Sequence, residues 1–204
     1  MGTAIRELRE RHGIARGDLF VQTKYTPLGG QDRSKPLPYE PDAPLEEQVN
    51  QSLATSLREL GTDYLDAVLL HSPLERPEET ARVWKVFEDA LEQGSVSRFC
   101  LPCSCIHSRG RSQVRRLGLS NIYDPEELAH YFDTFRVKPS IMFSISHTFG
   151  RSATEDECSQ NRFYAATDYD GAILDLCAKH GAQYQAFWTL TVSASLTLAT
   201  WNTG

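Results

Sequence analysis

Five polar residues stand where short apolar runs of the chain give out. Lys24 follows Leu19-Phe20-Val21, and His71 follows Ala67-Val68-Leu69-Leu70. Ser120 and Asn121 follow Leu117-Gly118-Leu119, and Gln160 comes after a broken run at Pro139-Ser140-Ile141-Met142. An ammonium, an imidazole, a hydroxyl and two amides together donate, accept and carry protons, which suits polarising and protonating a small polar substrate. In a closed α/β barrel, such groups gather at the C-terminal ends of several different strands. The pattern therefore reads as a converging active site.

The elements needed to position those residues are legible. Short, nearly continuous apolar runs suit parallel strands covered by helices on their faces. Ala4 to His12 reads as a helix stopped by Gly13, and Leu19 to Lys24 as a strand. A long Pro/Gly-rich loop, Tyr25 to Asp42, suggests function rather than simple connection. Pro44 then opens a helix whose apolar stripe is Leu45, Val49, Leu53, Leu57 and Leu60, with Gly61 as its stop. Strand Tyr64–Leu70, helix Glu78–Gln93, strand Val114–Leu119, helix Pro125–Phe135, helix Asp170–His180 and strand Gln183–Phe187 continue the alternation. Repeated βα units imply a parallel sheet or barrel.

Composition sets the background. The 204 residues, 40% hydrophobic and 24% charged, suffice for one domain with a core. A net charge of −6 and the lack of a basic stripe argue against a nucleic-acid partner. No apolar stretch approaches membrane-spanning length, so no membrane partner is expected. The start Met1-Gly2-Thr3-Ala4-Ile5-Arg6-Glu7 has no signal-peptide core, and a cytoplasmic location is the expectation.

At these residues the chain resembles the aldo-keto reductase family of NAD(P)H-dependent (β/α)8 barrels. The matching stretches are Asp18-Leu19-Phe20-Val21-Gln22-Thr23-Lys24 and Ser56-Leu57-Arg58-Glu59-Leu60-Gly61-Thr62-Asp63-Tyr64-Leu65-Asp66, the latter leading into Leu69-Leu70-His71-Ser72-Pro73. They continue through Val114-Arg115-Arg116-Leu117-Gly118-Leu119-Ser120-Asn121 and Gln160-Asn161-Arg162-Phe163-Tyr164. The resemblance implies an α/β TIM-type barrel, incomplete here and covering roughly strands 3 to 7. It also implies reduction of an aldehyde or ketone with NADPH, the small-molecule carbonyl being the partner. By that resemblance Lys24 and His71 are the catalytic candidates. Ser120, Asn121 and Gln160 would hold the nicotinamide carboxamide, and Phe187 would stack on the ring. The family's proton-donating Tyr and its Asp precede the Lys strand and have no counterpart here. Tyr25 is adjacent to Lys24, but alternation along a strand turns its side chain the other way. A desolvated Lys without a carboxylate tends to lose its charge. The alternative to an enzyme is therefore a non-catalytic barrel fragment or a regulatory subunit.

Two segments, 96–113 and 143–159, match nothing in that family and interrupt a barrel region spanning 1–191, and 192–204 forms an unrelated tail. Both segments read as translated introns. Val96-Ser97 can be encoded GTAAGT and Gln113 CAG, a donor and an acceptor. Cutting before the last base of the Met142 codon and within that of Ser159 leaves Ile, restoring Pro-Ser-Ile-Ile-Gln-Asn-Arg-Phe-Tyr. Cys100, Cys103, Cys105 and His107 imitate a metal-ligand cluster, yet all lie in the first segment, so no metal is expected. Cys177, in the family-like scaffold, reads as a buried helix residue.

Overall fold

The computed structural model describes residues 1–93, 113–144, 146–147, 160–161 and 170–186. Along them run α1 (Gly2–His12), β1 (Gln22–Tyr25), α2 (Leu45–Leu60), β2 (Ala67–Leu70), α3 (Pro77–Gln93) and β3 (Leu117–Ser120). After these come α4 (Pro125–Thr134), β4 (Ile141–Ser144), β5 (Ser146–His147), β6 (Gln160–Asn161), α5 (Gly171–His180) and β7 (Gln183–Ala186). Strands β1, β2, β3, β4 and β7 form one sheet in that order, parallel at every pairing. This is the order expected of a segment of a (β/α)8 barrel, in which each strand neighbours the next one in the chain. A separate antiparallel pair joins β5 to β6.

Register divides the sheet into two faces. Tyr25, Val68, Leu70, Leu117, Leu119 and Met142 belong to the main core, packed with Val49 and Leu53 of α2, Trp84 and Phe87 of α3, and Leu128 and Phe132 of α4. Ala67, Leu69 and Ile141 form a smaller cluster with Phe143 on the opposite, inner face. Gly118 lies on that inner face between Leu69 and Ile141, its neighbours in register. A Cβ there would come 2.7 Å from the Ile141 carbonyl oxygen and 2.8 Å from Leu69 Cγ. Glycine thus allows the two large side chains to close over the strand.

The helices end and begin on local chemistry. Gly13, Gly61 and Gly181 take left-handed φ values of 68°, 65° and 67°, ending α1, α2 and α5 where L side chains would be strained. Asp124 caps α4, its carboxylate accepting from the Glu126 N–H at 2.9 Å, with Pro125 in the first turn. Pro44 is in extended backbone and caps α2 from outside, so the helix starts one residue later than its sequence suggests. Trp84 of α3 donates from Nε1 to the Val137 carbonyl at 2.9 Å and stacks on Phe135 with centroids 4.5 Å apart, tying α3 to the end of α4.

At the strands' N-terminal side, Asp66 is buried and accepts from the Val21 N–H at 2.9 Å. Arg16 reaches Asp66 at 2.8 Å and Arg115 reaches it at 3.2 Å. The two guanidiniums also lie over the Tyr64 ring, 3.9 Å and 4.0 Å from its centroid. Burial by itself would raise the Asp66 carboxyl, but the Val21 N–H and the two arginines outweigh it and hold the group below its ordinary range. This knot takes up residues 16–21 before pairing begins, so β1 starts at Gln22 rather than Leu19. Strand β4 runs through Phe143 and Ser144, carrying regular structure into the segment expected to begin at 143. The segment 96–113, apart from Gln113, and the tail 192–204 lie outside the described residues, as do Cys100, Cys103, Cys105 and His107. Cys177 is buried on α5, and burial pushes its thiol up to about 11.

Candidate functional site

Lys24 sits on β1 in register with Leu69, which places it on the inner face near the C-terminal end of the sheet. Ser120 ends β3 on the same face, in register with Phe143 of β4. The Lys24 Nζ donates to Ser120 Oγ at 3.2 Å and lies 3.7 Å from the centroid of the Phe143 ring. Among the described residues, Lys35 and Lys85 have carboxylate partners, but Lys24 has none. Its surroundings are thus a hydroxyl and a ring face, which replace bulk water poorly. Burial lowers the Lys24 ammonium to about 8, so amine and ammonium coexist near neutral pH. A group that exchanges protons at ambient pH is suited to acid–base work.

His71 follows β2 directly. Its N–H donates to the Tyr25 carbonyl at 2.8 Å, and its own carbonyl accepts from Asn121 Nδ2. Asn121 holds a left-handed φ of 58°, a conformation that asparagine tolerates better than most side chains. The Asn121 N–H donates to the Phe143 carbonyl at 3.3 Å, and Asn121 Oδ1 accepts from the Tyr123 hydroxyl at 2.7 Å. These bonds link the C-terminal ends of β1, β2, β3 and β4. The loop after β1 is fastened over the same end, because Tyr39 and Gln31 both donate to the Thr26 carbonyl, at 2.8 Å and 3.1 Å. Gly30 in that loop comes close to the imidazole, a Cβ there lying 3.9 Å from His71 Nδ1.

Of the sequence candidates, Lys24, His71, Ser120 and Asn121 are thus gathered on three adjacent strand ends. Gln160 is elsewhere in the topology: it begins β6 and pairs with His147 of β5, outside the five-stranded sheet. Phe187 lies just beyond β7, outside the described residues. Tyr25 is buried on the helix face, in a tilted contact with Tyr39 at 5.6 Å, and burial with the Tyr39 neighbour raises its hydroxyl. A phenol so placed and so reluctant to ionise is no proton donor for the inner face.

Two inner-face features escaped the sequence reading. Phe143 supplies the ring against which the Lys24 ammonium rests. Gln22 of β1 donates from Nε2 to Gln185 Oε1 of β7 at 3.3 Å, although these strands are the two ends of the sheet. The sheet is therefore curled enough for its first and last strands to touch across the inner face. Strand parity at Gln22 and Gln185 is the signal that foreshadowed it.

Comparison with known proteins agrees with this architecture. The model of the Aldo/keto reductase family matches residues 1–101. An NAD/NADP-dependent indole-3-acetaldehyde reductase of Schizosaccharomyces pombe is 42% identical over 64 residues, covering 28% of this chain and 22% of that protein. An uncharacterised oxidoreductase of Bacillus subtilis, YtbE, is 33% identical over 96 residues, covering 47% of this chain and 29% of that protein. An aldo-keto reductase of the silkworm Bombyx mori, solved in complex with NADP, superposes with a TM-score of 0.56 at 19% identity, covering 92% of this chain and 47% of that one. The chain thus spans about half the length of the solved structure and under a third of the curated relatives it matches. The parallel sheet is an incomplete (β/α)8 barrel, and its N-terminal part, within residues 1–101, is what matches the aldo/keto reductase family.

Proposed function

We propose that this strand-end site is that of a reductase converting an aldehyde or ketone to its alcohol with NADPH. We further propose that the chain in its present form holds part of that site without turning substrate over. The nicotinamide, when bound, supplies the hydride. Ser120 and Asn121 are the residues that would hold its carboxamide, since a hydroxyl and an amide match a group that both donates and accepts. The donor set fits with one exchange. Asn121 Oδ1 accepts from the hydroxyl of Tyr123, whose side chain is exposed, and a ligand amide N–H is an equivalent donor. Lys24 and His71 are the residues placed to orient and protonate at the carbonyl oxygen, Lys24 being poised to exchange a proton near neutral pH. Tyr25, turned to the helices, takes no part.

The observation that carries the reading is the register of β4. Excising 143–159, with the fused codon making Met142→Ile, brings Gln160 into the slot held by Phe143. That slot faces Ser120 on the inner face, beside Lys24. An excision inferred from codon possibilities thus lands the remaining amide next to the other carboxamide residues. A frame that differed by one residue would send Gln160 to the helix face instead.

The test compares the chain as given with a variant lacking 143–159 and carrying Met142→Ile. NADPH binding is followed by quenching of tryptophan fluorescence, and reduction of a short aldehyde by loss of nicotinamide absorbance. NADPH is expected to bind the deletion variant at least about tenfold more tightly, the worth of roughly one good hydrogen bond to a polar ligand. The present chain should give no aldehyde-dependent loss of absorbance. Equal or weaker binding by a folded deletion variant refutes the register reading, and turnover by the present chain refutes the second half of the proposal.

A further inference from the structure

Lys24 has a capacity that hydride transfer does not use. Its Nζ is half-buried at the C-terminal end of the inner face, against the Phe143 ring and the Ser120 hydroxyl, with no carboxylate bound to it among the described residues. Lysines become nucleophiles toward carbonyls when desolvated in this way, because the neutral amine carries the lone pair that attacks. The other lysines differ. Lys35 is paired with Asp32 at 3.1 Å, Lys85 with Asp89 at 2.7 Å, and Lys138 donates to the Asp133 carbonyl at 3.1 Å.

We propose that Lys24 is an imine-forming site for aldehydes, capturing them covalently at the strand ends with no nicotinamide required. The amine lone pair of Lys24 forms the N–C bond as the C=O π pair moves to oxygen. A proton passes from nitrogen to that oxygen, giving a carbinolamine. The Ser120 hydroxyl, at 3.2 Å from Nζ, is the relay nearest to this transfer. The nitrogen lone pair then forms the C=N bond as the C–O bond breaks, the hydroxyl leaves as water with the second nitrogen proton, and the imine remains with no net oxidation or reduction. On the elements around Nζ, β3 and β4 present Ser120 and Phe143, neither of which titrates near neutrality. Among the described residues, the titratable groups on the adjoining strand ends are His71, which follows β2, and Tyr25, on the opposite face. The amine's own proton loss near pH 8, caused by burial, supports the assignment.

The inference shares a lysine with the reductase reading but does not rest on it, so the two tests fail independently. The full chain is incubated at pH 7.5 with propanal and sodium cyanoborohydride, which reduces an imine to a stable secondary amine. Proteolysis and mass spectrometry then give the adduct on each lysine. A lysine titrating near 8 holds on the order of a hundredfold more free amine at that pH than an ordinary one near 10.4. Allowing for its lower basicity and partial burial, labelling at Lys24 should exceed that at Lys35, Lys85 and Lys179 by about tenfold. The rate at Lys24 should rise with a midpoint near pH 8, and the preference should vanish in guanidinium. Folded Ser120→Ala, checked by circular dichroism, should label more slowly at Lys24 while the other lysines are unchanged. Labelling of Lys24 no faster than of Lys35 in the native chain overturns the proposal, as does a preference that survives unfolding.

Discussion

Replacing Asp66 removes the charge that organises the N-terminal side of the sheet, and the structure allows the loss to be worked out. The carboxylate side chain is 10% exposed and serves three donors: the Val21 N–H, Arg16 and Arg115. In Asp66→Ala the Val21 amide, on a residue 8% exposed, loses its acceptor, which costs about 1–2 kcal/mol for a buried donor. Arg16, 16% exposed, keeps the carbonyls of Leu19 and Tyr64 and the hydroxyl of Thr62. It therefore loses less than the 3–5 kcal/mol of a fully abandoned buried ion, about 1–2 kcal/mol. Arg115 is 48% exposed, and its share is a few tenths of a kcal/mol, about what a solvated pair gives. The total is about 3 kcal/mol, which in urea lowers the midpoint by about 1.5 M at a slope near 2 kcal/mol/M. Asp66→Asn keeps an acceptor for Val21 and should lose about 2 kcal/mol, while Arg115→Ala should lose under about 0.5 kcal/mol. The carboxyl is depressed in the fold, so its contribution is complete above the ordinary carboxylate value of about 4 and disappears as pH falls through the folded value. Urea midpoints for the native chain and Asp66→Asn should therefore differ by a constant amount above about pH 5 and draw together as pH falls below about 4. An Asp66→Ala loss below about 1 kcal/mol, or an Arg115→Ala loss equal to it, refutes this account of the knot.

Gly118→Ala places a methyl 2.7 Å from the Ile141 carbonyl and 2.8 Å from Leu69 Cγ, so β3 must shift against β4. A loss of about 1–3 kcal/mol, the usual range for overpacking, is expected in urea unfolding. Asp124→Ala removes the acceptor for the Glu126 N–H at the start of α4, and thermal unfolding should register about 1 kcal/mol.

The helices were the most legible part of the sequence, because their signals are local. Gly13 and Gly61 end helices where they were expected to, and Asp124-Pro125 begins one. Strand order was legible from the βα alternation. Strand starts were not: the Asp66 knot that delays β1 joins residues more than forty positions apart. Lys24, His71, Ser120 and Asn121 could be found as a set because each sits where an apolar run ends. Phe143 was missed for a different reason. It lies in the segment 143–159 read as an insert, and its contact with Lys24 exists only through the pairing of β3 with β4 and the position of β1. The position of Gln160 in β6 reflects the pairing with β5, which no period in the sequence announces.

Lys24 and Tyr25 are consecutive, and the sheet sends one to the inner face and the other into the helix-packed core. A slip of β1 by one residue against β2 would exchange them. The ammonium would then enter a wall of leucines and valines, and the phenol would lose both Tyr39 and Gln48. This four-residue strand thus carries its own alignment key: the same dipeptide that equips the site also makes every neighbouring alignment of β1 costly, so the chemistry and the accuracy of assembly are written in two adjacent codons.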